Sequence, residues 1–374
     1  MKRILIDLTS LDDNFSGMEH YALFQTKELI KNNNYSFDIV FKNKISRFSE
    51  EELNKPNIKV HILKGKRMVI MLFRLPKLIK KLKNDYALFL SFPPSIFLKR
   101  TKETKVISTI FDIVAFDMPE TMTFKSRAYF KLAIKHALKI SESIITDSVF
   151  AKNRICDAFN YSPNKVTVSY PSHAMPIIKK DKDYIANKYQ LPNNYLLSLS
   201  TVEPRKNFKN LIIWLDHIWD KYNEVPDLVI AGRSGWKNNT IFKGIKHLDK
   251  IHFTGFIDDE DIFSIYSYSE AFLFPSLYEG FGMPVLEAIV ASKLPICSDI
   301  PTSREILGEE YPFFFDKLSE NDFEATLIDF LNTKTNDKNS LYKAIKEYIS
   351  QFSWTKSNEK IVSILEGEGN GNRN

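Results

Sequence analysis

Two glutamates eight residues apart, Glu279 and Glu287, sit in the string FPSLYEGFGMPVLEA at 274–288. Gly280 and Gly282 free the backbone just after Glu279, and Pro284 suits the first turn of a helix. A helix starting near Met283 places Glu287 about one turn in. Backbone N–H groups around Phe281, Gly282 and Met283 can then hold an anion such as a diphosphate. A glutamate one turn further can accept hydrogen bonds from neutral donors such as ribose hydroxyls. A second string, LSLSTVEPRKNFK at 197–209, supplies cations. Arg205 offers a planar fork of donors and Lys206 a compact point charge, and together they can neutralise a departing diphosphate. Each string alone also has a plain reading, as a glycine turn with surface glutamates or as a solvated basic turn.

Both strings need a strand before them and a helix after. Short apolar runs at 4–8, 37–41, 58–63, 86–91, 106–110, 143–146 and 166–170 alternate with helical patterns, among them one from the loop at 12–17 to about Lys31 and another at 125–140. The pattern restarts at 195–199, 227–231, 251–254, 271–274 and 294–297. Strands alternating with helices predict parallel sheets covered on both faces. Pro171 and the polar residues 179–183 read as a linker between the halves. In such sheets ligands bind at the carboxyl ends of strands, where both chemical strings fall.

With 374 residues the chain has room for two domains and needs no disulfide or metal staple. Its two cysteines, Cys156 and Cys297, form no CxxC pair and fit a reducing compartment. The opening MKRILIDLTSLDD reads as a first strand rather than a signal segment, because Asp7 interrupts the apolar run. No apolar run is long enough to span a bilayer. The net charge of +6 is uneven: from Lys64 to Lys83, KGKRMVIMLFRLPKLIKKLK carries eight basic residues and no acidic one. That stretch reads either as a surface for anionic lipid headgroups or as a core-packed helix with a solvated basic face. No nucleic-acid-binding motif accompanies the charge, so nucleic acid is not an expected partner.

The string at 274–288 resembles the E-x7-E signature of glycosyltransferase family 4 and its retaining relatives, P-S-x-x-E-G-F-G-x-P-x-x-E-A. The string at 197–209 resembles that family's G-x-L-x-P-x-K-N/G donor-phosphate loop, with Ser200 where glycine is usual and Thr201 where many members carry arginine. Arg205 is the candidate to supply that charge. Ser16-Gly17 stands where the family has a glycine-rich loop. ISTIFDIVAFDMPE at 107–120 resembles its strand-then-HD segment, with Phe111 in place of histidine and Asp112 retained. Thr146-Asp147-Ser148 resembles its V-S-x-x-S stretch, and 164–171 its inter-domain strand and turn. Phe352-Ser353-Trp354 resembles the start of its last helix.

The resemblance implies an α/β protein of the GT-B kind, two Rossmann-like doubly wound parallel-sheet domains facing an inter-domain cleft. Residues 1–175 would bind the acceptor and 176–350 the nucleotide-sugar. Residues 351–366 would form a helix crossing back to the first domain, and 367–374 a disordered tail. It implies a retaining transfer of a hexosyl unit from a GDP-, UDP- or dTDP-linked sugar to a glycan or lipid-linked glycan, in the biosynthesis of surface polysaccharide, lipopolysaccharide or a glycoconjugate. The place would be the cytoplasm, at the inner face of the cell membrane if the stretch from Lys64 to Lys83 touches it. Glu279, Lys206 and Arg205 would be catalytic; Glu287, Phe281, Gly282, Met283, Gly17, Asp112 and Phe111 would bind the donor. No cofactor and no metal is expected. Two other classes stay open, a catalytically silent GT-B subunit and a nucleotide-sugar epimerase. Phe111 itself has three readings: a pocket for a 6-deoxyhexose, reduced activity, or a core residue.

Overall fold

Strands buried on both faces build the framework. The computed structural model describes residues 1–11, 17–232 and 242–367. Of the loop read at 12–17 only Gly17 is among them, so Ser16 lies outside the described residues, as does the tail beyond Gly367. The chain divides into two units: Met1–Ser172 with the chain from Phe352 onward, and His173–Gln351.

In the first unit seven strands pair in parallel in the order β3-β2-β1-β4-β5-β6-β7. They are β1 (Lys2–Leu8), β2 (Tyr35–Lys42), β3 (Ile58–Leu63), β4 (Tyr86–Phe89), β5 (Lys105–Thr109), β6 (Ser143–Thr146) and β7 (Val166–Val168). Successive side chains of a strand point to opposite faces. Ile4, Ile6 and Leu8 accordingly join a core with the helices Gly17–Leu29 and Trp354–Glu366, while Leu5 packs with Val40, Ala87 and Phe89 under Leu75 and Ile79. The last helix belongs to this core. The Trp354 ring stacks on Phe24 at 5.0 Å, and the Tyr86 hydroxyl donates to the Leu365 carbonyl at 3.1 Å.

The second unit repeats the plan with β8 (Tyr195–Leu199), β9 (Asp227–Ala231), β10 (Ile251–Gly255), β11 (Ala271–Phe274), β12 (Pro295–Ser298) and β13 (Phe314–Phe315), in the order β10-β9-β8-β11-β12-β13, all parallel. The two-residue β13 was not expected, being too short to carry a period. The polar residues 179–183 are not a free linker. The Lys180 ammonium lies 2.6 Å from the buried Asp261 carboxylate, and the Lys180 N–H donates to Ser264 Oγ at 2.8 Å. A buried carboxylate needs such a partner, which ties this polar segment to the second unit.

The order of the second sheet sets the site. The chain runs outward from β8 to β10, then returns to lay β11 against the other side of β8. The loops leaving β8 and β11 diverge from adjacent strand ends, the switch point at which doubly wound sheets hold ligands. Gly232 guards this arrangement at the end of β9. Its φ is +137°, and a Cβ there would stand 2.2 Å from the Ser200 carbonyl oxygen. Gly232→Ala should therefore push the β8 loop outward and lower stability by roughly 2 kcal/mol or more. Urea unfolding checks this; a midpoint unchanged from wild type would refute the packing argument.

Candidate functional site

The loop from β8 ends in a tight helical turn, Pro204–Lys206, closed by Asn207 in the left-handed region at φ 59°. Asn207 holds that turn by donating from Nδ2 to the Lys317 carbonyl at 3.0 Å. The loop from β11 lies directly against it. The Leu277 N–H donates to the Arg205 carbonyl at 2.8 Å, and Arg205 Nη1 donates to the Tyr278 carbonyl at 3.3 Å. Lys317 Nζ adds a bond to the Leu277 carbonyl at 3.1 Å. The two strings singled out from the sequence are thus joined through their backbones.

Their side chains converge on one carboxylate. Lys206 Nζ stands 2.5 Å from Glu279 Oε1, and Arg205 Nη1 2.6 Å from Oε2. Glu279 is 6% exposed and Lys206 8%. Burial pushes the Glu279 carboxyl up, but the charges of Arg205 and then Lys206 outweigh it and hold it at about 2. Burial pulls the Lys206 ammonium below its ordinary value, opposed by Glu279 and assisted by Arg205. Two cations share one anion here, so this core of three groups keeps one positive charge. Lys206 also sits 5.4 Å from the centroid of the Phe274 ring, at the end of β11. Such a face attracts an ammonium.

Beyond Glu279 the chain turns at Gly282, whose φ of +114° favours glycine, into the helix Met283–Val290. Pro284 has no N–H, and the Val285 N–H is already bonded to the Gly282 carbonyl at 2.9 Å. The donors this helix start can offer an anion are therefore those before Pro284. The Phe281 side chain is buried, so its part in any such contact falls to its backbone. Glu287 is buried as well, one turn into the helix. It accepts from the Ala174 N–H and the Tyr266 hydroxyl, both at 3.5 Å and at the limit of hydrogen bonding. Burial, only partly offset by those two bonds, pushes its carboxyl up to about 7.

That value has a sign to test. A carboxyl raised in the folded state binds a proton there that the unfolded chain has already lost. Its ionisation therefore removes stability as pH rises from about 4.5 to about 7. Glu287→Gln should match wild type below that window and exceed it above by on the order of 2–3 kcal/mol. The difference in melting temperature between the two proteins, followed from pH 4 to pH 8, checks this. A difference that does not grow with pH would refute it.

The remaining candidates lie in the first unit. Gly17 is the exposed first residue of the helix Gly17–Leu29. Phe111 follows β5 and packs edge to face on Tyr21, ring centroids 5.1 Å apart, beside the first core. Asp112 Oδ1 accepts from the Val114 N–H at 3.0 Å, a local turn. Sequence reasoning missed Tyr266 and Ala174 beside Glu287 and the lysine Lys317 that braces both loops. It also missed a buried relay behind Phe111, in which the Tyr21 hydroxyl donates to Ser169 Oγ at 2.8 Å and Ser169 Oγ lies 2.7 Å from Ser357 Oγ. No local pattern marks these residues, because tertiary packing alone brings them together.

Residues 180–351, just under half of the chain, match the family described as glycosyl transferases group 1. The chain is 26% identical over 240 residues to O-antigen chain mannosyltransferase B of Escherichia coli and 29% identical over 205 residues to O-antigen chain mannosyltransferase RfbU of Salmonella typhimurium. Those alignments cover 60% and 53% of this chain and 61% and 53% of the relatives, so the chain spans little more than half the length of either. Among solved structures, Anabaena HepE in complex with UDP and glucose superposes with a TM-score of 0.73 over 98% of this chain and 100% of that one, at 15% identity. WaaG, a glycosyltransferase involved in lipopolysaccharide biosynthesis, superposes with a TM-score of 0.72 over 97% and 100%, at 12% identity. At these identities the likeness speaks for the fold. Over residues 180–351 the chain is therefore similar to the glycosyl transferases group 1 family, and its fold is of the GT-B kind.

Proposed function

We propose that this chain is a retaining glycosyltransferase. It moves a hexosyl unit from a nucleotide-sugar to a glycan acceptor in the assembly of a surface polysaccharide or lipopolysaccharide. The observation that carries the reading is the Arg205–Glu279–Lys206 cluster at the switch point of the second sheet. The second unit holds the donor and the first the acceptor. The bond from the anomeric carbon to the diphosphate oxygen breaks, and the diphosphate leaves with the electron pair. The acceptor hydroxyl forms the new bond on the same face and gives up its proton to the leaving phosphate oxygen. Lys206 and Arg205 meet the charge that develops on the diphosphate, and such stabilisation is often the largest catalytic contribution. Glu279 steadies the sugar hydroxyls and the positive charge at the anomeric carbon. Glu287 holds the ribose. The proposal needs no metal or cofactor, because the two cations and the helix start take the diphosphate charge.

The names of the two O-antigen relatives support mannose as the first sugar to try, with GDP, UDP and dTDP as carriers. The contact of Phe111 with Tyr21 supports its reading as a core residue over a pocket for a 6-deoxy sugar. Contact with the inner face of a membrane through the stretch from Lys64 to Lys83 is part of the proposal and fits a lipid-linked acceptor. The test is donor turnover by the full chain with GDP-mannose, UDP-glucose and a dTDP-6-deoxyhexose, followed by NMR of the product. Release of nucleotide with an α-linked product from an α-linked donor is the expected result. An inverted anomer would refute retention. No turnover and no thermal stabilisation by any of the nucleotides would leave a silent subunit in place of an enzyme.

A further inference from the structure

The basic stretch turns from Arg67 to Leu82 through three consecutive helical pieces, Arg67–Val69, the wider turn Ile70–Arg74 and Leu75–Leu82. Ile70, Leu75 and Ile79 face inward and are buried. The outer face carries Lys66, Lys77, Lys80 and Lys81, all exposed, yet Met68, Val69 and Phe73 are exposed with them, Phe73 at 60%. A helix that only covers a core has no use for an exposed phenylalanine beside its lysines. The explanation begins in a second segment. Phe97, 52% exposed, stacks on Phe73 with ring centroids 5.5 Å apart and planes 22° from parallel, and Ile96 beside it is exposed too.

A third segment joins at the same loop. Arg67 lies over the Phe92 ring at 4.4 Å, and Phe92 reaches Phe130 at 6.4 Å on the helix Phe124–Ile140. His136 of that helix pairs with the Leu98 carbonyl at 2.9 Å. The helix holds no acidic residue, and it exposes Phe124 and Leu132 among Lys125, Lys135 and Lys139. Three stretches distant in sequence thus meet at residues 92–98; all three bring exposed apolar side chains, and the first and third bring lysines with them.

We propose that these segments form a docking surface for an anionic phospholipid bilayer, in which Phe73 and Phe97 enter the headgroup region as a stacked pair and Lys77, Lys80 and Lys81 meet the lipid phosphates. This rests on the membrane contact proposed above and names its lipid class and residues. Charge complementarity selects the occupant, since basic residues beside exposed aromatic and aliphatic ones suit a charged interface over an apolar core. A second copy of the chain would set like charges against like, which costs association. A single-stranded nucleic acid stacks successive bases on separate aromatic rings, whereas here the two rings are stacked on each other and leave one face apiece.

The experiment is sedimentation of the full chain with vesicles of phosphatidylcholine containing about 30% phosphatidylglycerol, against phosphatidylcholine alone. Binding should need the anionic lipid and fall steeply at about 0.5 M salt, where the screening length is a few ångströms. Replacing Lys77, Lys80 and Lys81 together by glutamine should weaken it about 100-fold. Phe73→Ser with Phe97→Ser should weaken it at least tenfold, with melting temperature and donor turnover unchanged. Equal binding to both vesicles, no binding, or binding indifferent to both sets of variants overturns the proposal. So does a lipid-free dimer that the two phenylalanine changes dissolve, or tighter binding to RNA than to vesicles at the same salt. Vesicle binding requires no donor, so a chain that binds lipid but turns over no nucleotide-sugar sinks the reaction and leaves this surface standing.

Discussion

Lys206→Ala should reduce donor turnover by about 10²–10³-fold, or roughly 3–4 kcal/mol of transition-state stabilisation. The size follows from where the ammonium sits. It is 8% exposed and braced by a turn that Asn207 and Lys317 hold from behind, so its charge is little screened by water. Arg205 is less buried, with a quarter of its side chain exposed and a second acidic neighbour in Glu203 at 3.3 Å. Arg205→Ala should therefore cost about tenfold, the weaker effect expected of a partly screened charge. The order of the two losses is the informative result. Turnover of Lys206→Ala within threefold of wild type would remove the lysine from the reaction. A larger loss in Arg205→Ala would transfer its role to the arginine. Folding is checked separately by melting temperature, because Arg205 still pairs with Glu279 when Lys206 is gone.

The sequence reading went furthest where chemistry and backbone share one string. The apolar run at 271–274, the bend at Gly280 and Gly282, and Pro284 after them all agree locally, and the strand and helix stand where they point. Arg205 and Lys206 were found the same way, from two cations just after a strand. Agreement between local signals also marked most of the strands, to within a residue or two at their ends. What escaped was tertiary. Nothing near Tyr266 says that its hydroxyl will meet Glu287, and nothing in 95–97 says that Phe97 will stack on Phe73. Residues 179–183 look like a linker because they are polar, yet the buried carboxylate of Asp261, 81 positions away, captures Lys180.

Glu279→Gln should separate stability, anion binding and turnover in a pattern that no surface glutamate would give. Removing the carboxylate leaves Lys206 without its counter-charge beside Arg205, which keeps Glu203 at 3.3 Å. Breaking a buried pair from one side costs on the order of 3–5 kcal/mol. In wild type the Glu279 carboxyl, held at about 2, contributes stability above about 4.5 that is lost as pH falls towards 2. The variant lacks that contribution and acquires another dependence. Its unpaired ammonium is held down further, so the folded state sheds a proton that the unfolded chain keeps until its ordinary value near 10.5, and stability climbs as pH rises. Nucleoside diphosphates should raise the melting temperature of the variant more than that of wild type, because phosphate no longer competes with a carboxylate for the same two cations. Turnover should nevertheless fall by about 10²-fold or more, since the group facing the anomeric charge is gone. Adding Lys206→Met to Glu279→Gln should restore most of the lost stability without restoring turnover, the coupling expected of groups in direct contact. A Glu279→Gln protein as stable as wild type, with a smaller response to diphosphate, would mean that this cluster neither carries a buried ion pair that the fold depends on nor meets the leaving group, which then departs elsewhere.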